Sequence, residues 1–195
     1  AVGKRAMMMH GKTHENIKTI RPLRDGVIAD FQAAEYMLRD MIKMINFHNS
    51  IFPPALKMVI CIPSGITEVE ERTVINAAIE AGARRVYLIE EPLAAAIGAG
   101  LDIKGPNGHM VVDIGGGTTD IAVISLGGIV TSTSLRVAGD RIDSYIINYV
   151  KKEYNLAIGE RTAEEIKLTI GCAFPKEQEE YMDVRGRDLI TGLPK

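Results

Sequence analysis

An α/β fold is predicted for this chain of 195 residues by three observations. First, two short apolar runs, Lys57 to Ile62 and Arg85 to Ile89, flank a helical stretch, the pattern of a βαβ unit with parallel strands. Second, two β-branched runs between Met110 and Ile124 surround a triple glycine, which reads as strand, tight turn, strand. Third, apolar residues recur at three- and four-residue intervals from Asp30 and again from Gly139, the mark of helices laid on a sheet. The composition, 46% hydrophobic and 25% charged, is that of a globular chain able to bury one or two cores.

In chain order, residues 1 to 26 show no periodicity and read as irregular or edge structure. His10 and His14 have the spacing of a helical metal pair, but Gly11 intervenes and no third ligand is evident. From Asp30, a natural cap, the face Phe31, Ala34, Met37, Leu38, Met41, Ile42 and Ile45 predicts a helix. Ile51-Phe52-Pro53-Pro54 cannot continue it. Its two large apolar side chains either tuck onto the core or insert into a membrane surface.

Lys57 to Ile62, ended by Pro63-Ser64-Gly65, reads as a strand buried on both faces. Thr67 and Glu70 supply a capping box for the next helix, with Val69, Val74, Ala77 and Ala78 facing inward and Gly82 as its stop. Glu90-Glu91-Pro92 closes the second strand and opens a small apolar helix to Gly98. Leu101 to Gly108, with its Gly105-Pro106-Asn107-Gly108 turn, is the expected link between domains.

The glycine hairpin carries the chemistry. Gly115, Gly116 and Gly117 lack a Cβ, so a bulky anion can approach their N–H groups. Thr118 and Thr119 add hydroxyl donors, and Asp113 places a carboxylate where a Mg²⁺ accompanying phosphates would be held, directly or through water. A Walker loop or a dinucleotide fingerprint would run into a helix, whereas Ile121 to Ile124 favour strand, and the loop has no lysine. A third strand, Ile129 to Val137, follows. Asp140 is a natural cap for a helix facing inward through Ile142, Tyr145, Ile146, Tyr149 and Val150. Thr162 and Glu165 form a second capping box, and Glu164 and Lys167 have the spacing of an exposed helix ion pair. Tyr181 to Val184 is strand-like.

A net charge of −2 gives no electrostatic reason to expect a nucleic-acid partner. Cys61 and Cys172 lie in apolar patterns without metal-ligand spacing, which favours buried thiols in a reducing cytoplasm. No apolar run is long enough to span a bilayer.

Taken together, Val111 to Asp120, the preceding Leu88 to Gly98, the following Ala138 to Asp143 and Ala163 to Lys167, and Arg21 to Asp30 near the start resemble the actin, heat-shock chaperone and sugar kinase superfamily. Within it they are similar to the bacterial actins of rod-shape determination. The resemblance covers essentially all of the chain. It implies an actin-like ATPase fold with two α/β halves of ribonuclease H-like topology closing on ATP and Mg²⁺. Residues 1–105 would be the remainder of the first half, with part of its small subdomain at 1–25, and 106–195 the beginning of the second.

By the same resemblance Gly115, Gly116, Gly117 and Thr118 meet phosphates, and Asp113 holds the metal through water. Glu91 orients the attacking water, in keeping with a carboxylate emerging at a strand end. Glu164, Glu165, Ile166 and Lys167 meet the ribose and adenine, and Gly139 and Asp140 line the same cleft. Ile51 and Phe52 become a membrane loop. The implied protein is cytoplasmic, peripheral to the inner membrane, an ATP hydrolase that forms filaments with its own copies and works with the cell-wall elongation machinery. A sugar or acyl-phosphate kinase and a chaperone ATPase of the same superfamily are the alternatives. The family's first phosphate hairpin and its late adenine loop are expected outside residues 1 to 195, so the fold is read as incomplete at both ends, with weak or no ATPase activity expected from this stretch alone.

Overall fold

A computed structural model describes residues 1–45 and 55–195. The expectations for Ile51 and Phe52 fall outside the described residues. The chain divides into two compact units, one of residues 1–113 and 120–134, the other of residues 114–119 and 135–195.

The first unit opens with a short helix α1 (Lys4–Met9) and a two-stranded antiparallel hairpin, β1 (Leu23–Arg24) and β2 (Val27–Ile28). Asp25 and Gly26 both take positive φ, 49° and 78°, as the tight turn of an Asp-Gly hairpin requires. His10 and His14 lie past the end of α1, and His10 Nδ1 sits 2.8 Å from Thr19 Oγ1. Helix α2 (Phe31–Met44) is capped as its sequence predicts, with Ala33 N donating to Asp30 Oδ1 at 2.9 Å.

The βαβ unit is present as β3 (Lys57–Ile62), α3 (Glu68–Glu80) and β4 (Arg85–Glu90). Its strands run parallel, from Lys57 opposite Arg85 to Ile62 opposite Glu90. The capping box forms in both directions: Glu70 N donates to Thr67 Oγ1 at 3.3 Å and Thr67 N to Glu70 Oε2 at 2.7 Å. Helix α3 packs on α2, and Arg39 of α2 donates to the Glu80 carbonyl at 3.1 Å. Its inner face is Ala77 and Ala78, both fully buried, whereas Val69 in the first turn is 73% exposed and takes no part.

Two-sided burial of β3 is not found. Exposure alternates along the strand, and Val59 is 68% exposed, because among the described residues the helices cover one face of this two-stranded sheet. Side chains of equal parity share a face, so Cys61 stands with Val59 in the open. Cys172 is exposed as well, which corrects the expectation of two buried thiols.

Helix α4 (Glu91–Gly98) follows β4 directly. A three-stranded sheet comes next in the order β5 (His109–Ile114), β6 (Thr119–Ser125) and β7 (Gly128–Leu135). Connections this short can only return the chain antiparallel. The unit's core forms where Ala96 of α4 meets Ala122 and Ile124 of β6, with Leu93, Leu101, Ile103, Val111 and Ile129 around them. Full burial of Ile124 contributes about 2 kcal/mol from transfer out of water. The Leu101 to Gly108 segment thus carries core residues of this unit, and Leu126 N and Gly127 N donate to the Gly105 and Ile103 carbonyls at 3.0 and 2.7 Å.

The second unit holds α5 (Gly139–Tyr154), β8 (Leu156–Ala157), α6 (Glu160–Ile170) and β9 (Arg187–Asp188). Helices α5 and α6 pack together, and β8 pairs antiparallel with β9. Four local expectations are corrected here. Asp140 lies in the first turn of α5, whose cap position is Ala138. The inward face of α5 is Asp143, Ile146, Ile147 and Val150, while Ile142, Tyr145 and Tyr149 point to solvent. Helix α6 begins at Glu160 after Gly159, so Thr162 falls inside the helix where its hydroxyl cannot cap. Tyr181 to Val184 forms no strand, since β9 lies later and its partner β8 is only two residues long.

Candidate functional site

Each unit contributes its own cluster. In the first, alternation along β6 puts Asp120 on the inward face that Ala122 and Ile124 also occupy, and Asp120 is 1% exposed. Its Oδ1 accepts from Ser64 N at 3.0 Å, which fastens the loop after β3. Ser64 Oγ in turn donates to Glu90 Oε2 at 2.7 Å, at the end of β4. Asp120 Oδ2 is buried and has no hydrogen-bond partner among the described residues. An orphaned carboxylate oxygen of this kind is costly unless something polar or cationic meets it.

Glu91 is the first residue of α4, and Asp113 is near the end of β5. The Glu91 carboxyl is raised above its ordinary value, first by burial, then by the negative charges of Asp120 and Asp113. Three carboxylates therefore feel one another, an arrangement that a nearby cation would relieve. Among the described residues no group of three or more His, Cys, Asp or Glu is placed to hold a metal by itself. This donor set suits a metal whose remaining ligands are water and phosphate oxygens, as Mg²⁺ prefers.

The raised Glu91 pKa has a stability consequence with a definite sign. The folded chain binds this proton more tightly than the unfolded chain, so stability falls as pH rises from the ordinary value near 4.5 through the raised one. Glu91→Gln is expected to raise the melting temperature at pH 7 and leave it nearly unchanged at pH 4. Melting curves at the two pH values check this; an equal change at both would contradict the assignment.

In the second unit the tip of the glycine hairpin is closed by Gly115 N donating to the Thr118 carbonyl at 2.9 Å. Helix α5 is laid against that tip by two backbone bonds, Gly139 N to Gly115 O at 3.1 Å and Asp140 N to Gly116 O at 2.8 Å. The approach is tight at glycine: a Cβ on Gly139 would stand 3.2 Å from Lys167 Nζ and 3.4 Å from Gly115 O, so these neighbours would have to give way. A Cβ on Gly115 would stand 3.3 Å from Thr118 O. Thr118 is buried, and Thr119 Oγ1 donates to the Val137 carbonyl at 2.7 Å.

Lys167 reaches this frame from α6. Its Nζ lies 2.9 Å from Asp143 Oδ1 and 3.1 Å from Oδ2, and donates to the Gly139 carbonyl at 3.3 Å. The lysine is thus paired with Asp143 on the neighbouring helix, where the sequence offered Glu164 on its own helix. Glu164 and Ile166 are half-buried on α6 and Glu165 is exposed.

The structure brings Glu91 and Asp113 under a common electrostatic influence in one unit, and Gly115, Gly116, Gly139, Asp140 and Lys167 into one bonded frame in the other. Sequence reasoning assigned no role to Asp120, Ser64 or Asp143. For Asp120 a signal existed: a carboxylate at an inward position of a strand whose other inward residues are Ala122 and Ile124.

A parallel βαβ unit, a helix-backed hairpin sheet and a glycine tip framed by a following helix define a member of the actin-like α/β class. The crystal structure of MreB5 of Spiroplasma citri bound to ADP superposes on it with a TM-score of 0.91 at 45% identity, covering 100% of this chain and 58% of that one. The family model for MreB/Mbl protein matches residues 1–195, and the chain belongs to that family. It is 53% identical over 195 residues to the cell shape-determining protein Mbl of Bacillus subtilis (strain 168), covering all of this chain and 58% of Mbl. It is equally 53% identical to the cell shape-determining protein MreB of Escherichia coli (strain K12), of which it covers 56%. The chain therefore spans a little over half the length of the curated relatives it matches.

Proposed function

We propose that this chain belongs to an ATP-binding, actin-like cytoskeletal protein that forms membrane-associated filaments and determines rod cell shape by organising cell-wall synthesis. The observation that carries the reading is the hairpin tip held by α5 and Lys167 through the bonds at Gly115, Gly116 and Gly139. Family membership and the ADP bound by MreB5 support it.

The residues present fit the nucleotide and its metal: the frame is tight around Gly115 and Gly139, and the carboxylate cluster contains an oxygen without a hydrogen-bond partner among the described residues. When bound, Mg²⁺-ATP would supply the phosphoanhydride to be cleaved and the cation that offsets its charge. In this reading the N–H groups of Gly116 and Gly117 and the hydroxyl of Thr118 face phosphate oxygens, with Gly115 shaping the turn. Asp113 holds the metal through water, and Glu91 orients the water that attacks. Glu164, Glu165, Ile166 and Lys167 meet the ribose and adenine, and Gly139 and Asp140 line the cleft.

The division into halves at 105/106, ATP hydrolysis by the whole protein and filament contacts between its copies belong to the same proposal. So do seating on the inner membrane surface through Ile51 and Phe52, cytoplasmic location and association with the cell-wall elongation machinery. Among the described residues no helix is long and apolar enough to cross a membrane.

Calorimetric titration with Mg²⁺-ATP, beside Asp113→Ala, tests the core of this reading. Binding is expected in the parent and roughly tenfold weaker in the variant, the usual cost of losing a group that orders a metal's waters. If the folded parent binds no nucleotide, the same titration moves to the complete protein, and a folded complete protein that binds none would sink the reading.

A further inference from the structure

Asp143 occupies a position where an apolar residue would be the ordinary choice. It faces inward on α5 with Ile146, Ile147 and Val150, and is 7% exposed. A buried ion pair gains little stability over well-packed apolar side chains, because two charges must leave water. What the carboxylate does achieve is geometric. It fixes Lys167 Nζ at 2.9 and 3.1 Å, and the same ammonium donates to the Gly139 carbonyl at 3.3 Å. Two adjacent residues carry the contact onward: Gly139 N donates to Gly115 O, and Asp140 N donates to Gly116 O. An unbroken series of polar contacts thus runs from Asp143 through Lys167 and the first turn of α5 to the hairpin tip.

We propose that Asp143 is a positioning residue for phosphate recognition: by holding Lys167 between α6 and the first turn of α5, it sets the frame in which the Gly116 and Gly117 amides are presented. The proposal rests on the nucleotide reading given above. Asp143 touches no ligand in it and acts through Lys167. The consequence is selective. Loosening the frame weakens the hold on phosphates most, because they depend on the hairpin amides as well as on Lys167, and weakens a ligand that lacks phosphates less, through Lys167 alone. Simple loss of folded protein weakens both alike.

The test is calorimetric titration of the full chain and Asp143→Asn with ADP and with adenosine, Mg²⁺ present, alongside circular dichroism. The expected result is ADP binding about tenfold weaker in Asp143→Asn, the scale of one hydrogen bond to a charged group, with a loss for adenosine severalfold smaller than that for ADP. Equal losses for both ligands, or no loss for either, would overturn the inference while leaving the nucleotide reading standing. A folded parent that binds neither ligand overturns the inference for this chain, and the nucleotide reading falls with it when the folded complete protein also binds none. If Asp143→Asn does not fold, Asp143→Glu provides the same comparison: it keeps the charge but shifts it by one methylene, and the ADP-to-adenosine affinity ratio is expected to fall severalfold. An unchanged ratio there overturns the proposal.

Discussion

Replacing Gly139 by valine is expected to weaken Mg²⁺-ATP binding by about five- to hundredfold, since overpacking typically costs ~1–3 kcal/mol and 1.4 kcal/mol is a factor of ten. The reason is local. A Cβ there would meet Lys167 Nζ at 3.2 Å, Gly115 O at 3.4 Å and the Gly116 Cα at 3.7 Å. The ammonium can swing away, but the Gly115 carbonyl is bonded to Gly139 N itself and cannot. The added methyl groups of valine therefore push the hairpin tip and α5 apart, and the amides that would meet phosphate move with the tip. Gly98→Ala is the control, because nothing lies within 4 Å of the Cβ it adds and the site is helical. That variant is expected to bind like the parent and to melt slightly higher, as glycine is less favourable than alanine within a helix. Equal affinities for Gly139→Val and the parent in a calorimetric titration would show that the tip does not hold the nucleotide.

Gly171→Ala should produce the larger stability effect. Gly171 ends α6, and a Cβ on it would stand 2.2 Å from the Lys167 carbonyl oxygen and 3.1 Å from its carbon. Both are backbone atoms of the last helical turn, so no rotamer change relieves the clash. Either the chain after α6 redirects or the last turn of the helix opens. Overpacking of this sort costs on the order of 2–3 kcal/mol, which lowers the melting temperature of a chain this size by roughly 5–10 °C. Gly159→Ala, at the other end of the helix and with open space around its Cβ, is expected to change the melting temperature by no more than about 2 °C. Thermal melting followed by circular dichroism reads both, and a Gly171→Ala chain as stable as the Gly159→Ala chain would contradict this packing.

Much of the fold was legible where the determinants are close in sequence. The Asp30 cap, the capping box of Thr67 and Glu70, the parallel pair around α3 and the strand-glycine-strand hairpin all appear where their residues put them. Each depends on contacts a few residues apart or on the period of apolar side chains. The nature of the hairpin, glycines flanked by Asp113 and Thr118, was equally readable, as was the placement of Glu91 at a strand end.

The misreadings share another cause. An apolar run says that a strand is suitable for burial on two faces, but which face is covered depends on helices elsewhere in the chain, and Val59 and Cys61 remained open. Apolar periodicity pointed Ile142, Tyr145 and Tyr149 inward. The helix instead turns Asp143 to its neighbour, because Lys167, 24 residues later, can neutralise it there. No local pattern distinguishes an inward aspartate from a solvated one.

By itself, then, the sequence determined most of the local elements and the strand-glycine-strand tip, since these follow from backbone sterics, capping and side-chain period. The tertiary structure alone decided that Asp120 is buried with one oxygen unmet among the described residues, that Glu91 shares its field, and that Lys167 binds Asp143 rather than Glu164. Those outcomes depend on desolvation and charge pairing between residues far apart along the chain, which exist only once packing has brought them together.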